Sequence, residues 1–206
     1  MEILFEDKQI IVAVKERGLL SEESLKPNMV TELKELTNGE IYPVHRLDKD
    51  VAGVMVYAKT KAAAAELSKQ AGDRTMEKTY VARLHGIPEE KEGSLEDLLY
   101  FDKGKNKSFV VKKERKGVKK ALLCYKVLSE NGDSALVEVK LMTGRTHQIR
   151  VQFASRKMPL FGDRRYGAKD ESKIIALWSK EISFIHPITK NRLTFNRMPS
   201  EEILSI

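Results

Sequence analysis

The chain has 206 residues, 41% of them apolar and 33% charged, a balance that fits a soluble globular protein long enough to bury a real core. No apolar run approaches the roughly 20 residues of a membrane span, and the start Met1-Glu2-Ile3 lacks the basic and apolar regions of a signal peptide, so a cytoplasmic protein is expected. One cysteine, Cys124, excludes an internal disulfide and a cysteine-based zinc cluster, and the net charge of +7 suits an anionic partner.

In chain order, residues 10–14 alternate weakly and read as a strand, followed by a turn at Gly18 and a polar connection through Pro27. Met29, Val30, Leu33 and Leu36 have helical spacing. Residues 51–58, Val-Ala-Gly-Val-Met-Val-Tyr-Ala, form a short apolar run rich in β-branched residues, the pattern of a buried strand. The alanines of residues 61–74, with Leu67, predict a helix. Residues 76–84 alternate as a strand, and residues 87–99 read as an acidic loop with a short helix. A hairpin is expected from residues 121–128 and 134–141, joined by Glu130-Asn131-Gly132-Asp133, since Asn-Gly favours a tight turn. Cys124, inside that first strand, is read as a small buried hydrophobe. Residues 146–156 read as a helix that buries Ile149, Phe153 and Ala154, with Thr146 able to cap it, and residues 174–195 read as short strands broken at His186-Pro187. Mixed strands with few helices, out of simple βα alternation, argue for an α+β fold.

Two charged constellations stand out. The first is His45-Arg46-Leu47-Asp48-Lys49-Asp50, placed on a loop just before the strand at residue 51, where a rigid scaffold can hold chemistry. A carboxylate between Arg46 and Lys49 can stay ionised there. The second is Thr143-Gly144-Arg145-Thr146-His147-Gln148-Ile149-Arg150, which sets Arg145 where a strand, a glycine turn and a helix start meet. A guanidinium fixed in that way can grip a carboxylate or a phosphate in bidentate fashion. His147 and Arg150, three apart, share a face of the helix. Basic charge is concentrated as well. Residues 101–120 hold nine Lys/Arg against two acids, and residues 145–165 hold six against one, with Arg164 and Arg165 at the end. Both stretches suit a phosphate backbone.

Taken together, His45-Arg46-Leu47-Asp48, Lys78-Thr79-Tyr80-Val81-Ala82, the segment from Thr143 to Val151, and Pro159-Leu160-Phe161-Gly162-Asp163 with Tyr166-Gly167 resemble the RluA-type RNA pseudouridine synthases in order and spacing. The resemblance runs from about residue 10 to residue 195. It implies an α+β catalytic domain with a mixed, largely antiparallel sheet, flanking helices and a basic cleft for RNA. Residues 1–206 would be this single domain, with no additional RNA-binding domain ahead of it. The implied reaction turns uridine in structured ribosomal or transfer RNA into pseudouridine, with no cofactor and no metal.

By resemblance Asp48 is the catalytic carboxylate, Arg145 its partner, and Tyr80 the ring that stacks on the target base and takes part in moving the carbon 5 proton. Arg46 would fill the space left by the flipped base, and Leu177 would pack near that base. His45, His147, Arg150, Arg164 and Arg165 are expected on the RNA-binding side. The chain departs from the family at Lys15-Glu16-Arg17-Gly18, where Lys-Pro-Ala-Gly is common, and at Gln152 and Trp178, where histidines are frequent. The absence of a coiled coil or a long apolar edge points to a monomer. A non-catalytic RNA-binding module would also explain the charge, but gives no reason for a sheltered Asp48 matched by Arg145. A metal-dependent hydrolase built from His45, Asp48, His85, His147 and His186 lacks any recognised ligand spacing.

Overall fold

Fourteen strands and helices of the computed structural model, and one short 3₁₀ turn, follow the chain closely enough to be named in order; residues 1–199 are described. They are β1 (Glu2–Glu6), β2 (Ile10–Lys15), α1 (Met29–Thr37), β3 (Tyr42–Pro43), β4 (Ala52–Ala58) and α2 (Lys61–Asp73). Then come β5 (Glu77–His85), β6 (Glu92–Asp102), β7 (Lys107–Val111), β8 (Val118–Asn131) and β9 (Ser134–Leu141). Last are α3 (Gln148–Ala154), the 3₁₀ turn Arg164–Tyr166, β10 (Leu177–Ile185) and β11 (Arg192–Asn196). The described residues divide into two units, Met1–Lys78 with Ser179–Met198, and Thr79–Trp178 with Pro199. Residues 200–206, part of the expected domain, lie outside the described residues. Among the described residues no helix is long and apolar enough to cross a membrane.

In the first unit β2 pairs antiparallel with β1 and with β4, and β4 neighbours β10, which carries β11 on its other edge. Every residue of β2 and of β4 is buried, as the apolar runs require. Helix α2 lies on this sheet because Ala63 and Leu67, four apart, fall on one face and join Ile10, Val12, Val54, Val56, Ile182 and Phe184 in one core cluster. Thr60 starts the helix by accepting a hydrogen bond from the Ala63 amide, and Arg74 ends it in a left-handed conformation. Gly53 is required where β4 passes β10. A Cβ there would stand 2.3 Å from the Ser179 carbonyl oxygen.

In the second unit the strand order is β5-β9-β8-β6-β7, antiparallel throughout. Three expectations change here. Residues 92–102 form strand β6, not a loop and short helix. Its buried residues Leu95 and Leu99 are four apart, a spacing that fits one face of a strand as well as one face of a helix. Pairing with β8, which sets Glu92 opposite Lys126, selects the strand. The β8–β9 turn is Gly132-Asp133, because β8 runs on to Asn131 after a register shift between Val127 and Ser129. Cys124 is exposed, since alternation along β8 sends Leu123 inward and Cys124 outward.

The basic stretch 101–120 is also ordered, as β7 and the start of β8. Helix α3 begins at Gln148 instead of Thr146. His147 is its N-cap in the left-handed region and makes no side-chain cap bond, so Thr146 does not cap the helix.

Candidate active site

Asp48 sits in the loop between β3 and β4, and each neighbour of Asp48 is tied down separately. Leu47 is buried, and its backbone exchanges two hydrogen bonds with one hydroxyl. Its N–H donates to Ser21 Oγ at 3.0 Å, and Ser21 Oγ donates to its carbonyl at 3.0 Å. On the other side, the Lys49 carbonyl accepts from the Gly18 N–H at 2.9 Å and from Lys15 Nζ at 3.2 Å. The Asp48 carbonyl itself accepts from the Val51 N–H at 3.0 Å, closing the turn into β4.

Lys15 ends β2 and is fully buried. Its ammonium group also donates to the carbonyls of Leu19 at 2.8 Å and Glu16 at 3.0 Å, so all three of its protons are used. Burial pushes its pKa down to about 8, against the pull of Asp50 and Asp48. The Lys15-Glu16-Arg17-Gly18 segment is thus the clamp of the Asp48 loop, although only its departure from the family pattern was visible in the sequence.

His45 turns its ring inward, where Nε2 accepts from the Val56 N–H of β4 at 3.2 Å. Burial, helped by the nearby Lys78 ammonium, pushes its pKa down to about 3, so the ring is neutral and its proton is on Nδ1. It braces the loop against β4. Arg46 points outward and pairs with Glu22 at 3.7 Å, both side chains more than half exposed.

Tyr80 is in β5, buried, and directly opposite Val139 of β9. Strand β9 ends at Leu141, and Arg145 follows in the turn to α3. Gln148 folds back over that turn: its Oε1 accepts from the Arg145 N–H at 3.0 Å and from Thr143 Oγ1 at 2.8 Å, while its Nε2 donates to the Leu122 carbonyl at 3.1 Å. Arg145 Nε donates to the Lys120 carbonyl at 2.9 Å, which aims the guanidinium. One of its five donors is taken in this way. The expectation of a guanidinium set by backbone geometry matches this placement. Leu177 is buried next to Ala176, whose carbonyl accepts from the Arg83 N–H of β5 at 3.0 Å.

The remaining expected RNA-side residues are placed differently from one another. Arg164 is exposed. Arg165 is exposed too, but its Nη1 donates to the carbonyls of Lys105 at 3.2 Å and Asn106 at 2.9 Å, so it also locks the β6–β7 turn. Arg150 lies inside, its side chain only 4% exposed, and forms a bidentate pair with Asp163 at 2.6 and 2.9 Å. Arg150 is therefore turned towards Asp163 and away from the surface. His147 is likewise buried, with Nδ1 3.0 Å from Tyr166 Oη.

Asp163 and Gly162 explain the Pro159-Leu160-Phe161-Gly162-Asp163 motif. A Cβ on Gly162 would stand 1.8 Å from the Ile174 carbonyl oxygen, and the Gly162 N–H is held by the Asp170 carboxylate at 3.1 Å. His85 pairs with Asp170 at 2.7 Å, and His186 with Asp7 at 2.9 Å. Gln152 fills its buried place by donating to the Leu95 carbonyl at 2.9 Å and to Asp97 at 2.8 Å.

An RNA pseudouridylate synthase family model matches residues 9–155 of the chain. An uncharacterized RNA pseudouridine synthase of Mycoplasma genitalium is 33% identical over 203 residues, 95% of this chain and 66% of the relative. The chain therefore spans just under two thirds of that relative's length. The dual-specificity RNA pseudouridine synthase RluA of Salmonella typhimurium is 34% identical over 211 residues, 97% of this chain and 93% of its own. Among solved structures, human RNA Pseudouridylate Synthase Domain Containing 4 superposes with a TM-score of 0.81 at 24% identity, covering 98% of this chain and 90% of that one. That likeness supports the mixed, largely antiparallel α+β fold.

Proposed function

The chain belongs to the RNA pseudouridylate synthase family, and from that premise we propose that it converts specific uridines of structured ribosomal or transfer RNA into pseudouridine. In this isomerisation the bond from ribose carbon 1′ to N1 breaks and a bond from carbon 1′ to carbon 5 forms. The carbon 5 proton leaves and N1 gains one, so atoms and electrons balance without an oxidant or a cofactor. Asp48 is the carboxylate assigned to the reaction, by attack on the ribose, addition to the ring or removal of a sugar proton. Arg145 is the guanidinium assigned to keep that carboxylate ionised and aimed. Tyr80 is assigned the stacking face for the base and a part in moving the carbon 5 proton.

A base inside structured RNA must be extruded first, at a cost of a few kcal/mol. Arg46 suits the space it leaves, because its exposed pair with Glu22 is of the weak kind that releases readily. Arg164 and Arg165 are assigned to phosphate contacts, and Leu177 to the apolar side of the base. The protein is proposed to act as a cytoplasmic monomer. The observation that carries this reading is the bracketing of Asp48, pinned through Leu47 by Ser21 and through Lys49 by Lys15 and Gly18. A solvated surface loop has no use for a buried ammonium and two backbone clamps on either side of one carboxylate. The test compares RNA affinity and pseudouridine formation for the wild-type protein and Asp48→Ala. Retained binding with lost product supports the proposal, and a wild-type protein that binds RNA without forming pseudouridine leaves the binding-module reading.

A further inference from the structure

Between Arg145 and the first residue of α3 stand Thr146 and His147, and one side chain outside the proposed chemistry holds them both. Tyr166 Oη accepts from the Ser108 N–H at 2.8 Å, and Ser108 Oγ in turn donates to the Thr146 carbonyl at 2.5 Å. The same Oη lies 3.0 Å from His147 Nδ1, and the two rings meet edge to face at 5.7 Å. A neutral phenol that accepts from Ser108 still has its own proton to give, so it can donate to Nδ1 of a histidine protonated on Nε2. His147 needs the support. Its φ of 54° is left-handed, a conformation that costs a residue with a side chain about 1–2 kcal/mol, and it carries the start of α3 without a side-chain cap bond.

One other role for Tyr166 fits less well. Its ring already carries two cations, Arg150 at 5.2 Å and Lys107 at 5.0 Å, so it is not an open platform for an RNA base. Burial raises its pKa further from neutrality, so the phenol keeps the proton it gives to its hydrogen-bond partner.

We infer that Tyr166 is a positioning residue for Arg145: its hydroxyl, through Ser108 and His147, fixes the two residues after Arg145 and with them the direction of the guanidinium. This rests on the proposed role of Arg145. A guanidinium displaced by an ångström loses up to about a hundredfold in rate without losing charge.

The experiment uses Tyr166→Phe, which removes the hydroxyl and keeps the ring, with Ser108→Ala as a second cut in the same path. Single-turnover pseudouridine formation is expected to fall about tenfold in each, with the RNA dissociation constant within about twofold of wild type. In an Arg145→Lys background, which keeps the charge but not the planar fork, Tyr166→Phe is expected to add less than about twofold, because the two changes act on one group. Backbone hydrogen exchange over residues 145–148 is expected to speed up in Tyr166→Phe. A wild-type rate in Tyr166→Phe, or an equal fold loss with and without Arg145, overturns the inference, as does unchanged exchange. A wild-type protein that forms no pseudouridine overturns the reading beneath it instead, and the exchange measurement then still decides whether Tyr166 holds the turn.

Discussion

Asp48 stands in a loop tied down by a buried ammonium, whereas Arg145 stands in a turn tied down by a neutral amide. Lys15 reaches three carbonyls and Gln148 reaches an N–H, a hydroxyl and a carbonyl, so both clamps use three hydrogen bonds. Their chemistry differs in what pH and substitution do to them. A buried charge is costly to hide and costly to remove, because its partners are left unsatisfied in a dry place. An amide is cheap to bury and does not titrate. The carboxylate's loop therefore depends on a proton, and the guanidinium's turn does not.

The largest effect expected from breaking this comparison follows Lys15→Met. It leaves the Glu16 and Leu19 carbonyls without their donor and loosens Lys49, at a cost of about 2–4 kcal/mol in stability and about a hundredfold in turnover. Denaturant unfolding and single-turnover rates measure the two losses. Gln148→Ala should be milder, at about 1–2 kcal/mol and about tenfold in rate. A Gln148 variant that loses more than the Lys15 variant would reverse the comparison.

The pH profile sharpens it. The folded pKa of Lys15 is down at about 8, so between about 8 and the ordinary lysine value the unfolded chain holds a proton that the folded chain does not. Its contribution to stability therefore rises as pH climbs through that window, and below it the cost of burying the charge is felt in full. Activity is expected to run the opposite way. Deprotonation removes one of the three donors, so the rate should fall as pH rises through about 8, with no matching limb in a Lys15→Gln variant that still turns over. The other pH effect concerns His45. Its folded pKa, down at about 3, makes the unfolded chain the one that binds the proton between that value and about 6.5. Stability from this group is therefore complete above about 6.5 and lost as pH falls below it, by at most about 1.4 kcal/mol per pH unit. His45→Gln, which can keep an acceptor for Val56, should flatten the acid side of a plot of unfolding free energy against pH.

Much of this was legible in the residues. The apolar runs of β2 and β4 and the alanine-rich α2 are local patterns, and the loop and turn that carry Asp48 and Arg145 were found from clustered charge. What stayed hidden depends on partners far away in the chain. Lys15 meets Lys49 34 residues on, Ser21 meets Leu47 at a separation of 26, and Ser108 meets Thr146 at 38. The run 10–14 did continue into Lys15, and a lysine ending an all-apolar strand is the signal that could have marked a buried ammonium. Strand β6 is not legible locally because Leu95 and Leu99 satisfy two periodicities at once, and only pairing with β8 separates them. The inward turn of Arg150 is not legible locally, because nothing in its neighbourhood says that Asp163, thirteen residues later, takes the Nε–Nη2 edge of its guanidinium.

The most direct measurement is single-turnover pseudouridine formation at saturating RNA by the wild-type protein and by Asp48→Asn, which keeps the shape of the side chain and removes its charge. The account predicts a rate lower by at least about a thousandfold, with RNA affinity within about threefold. Equal rates in the two proteins would contradict it.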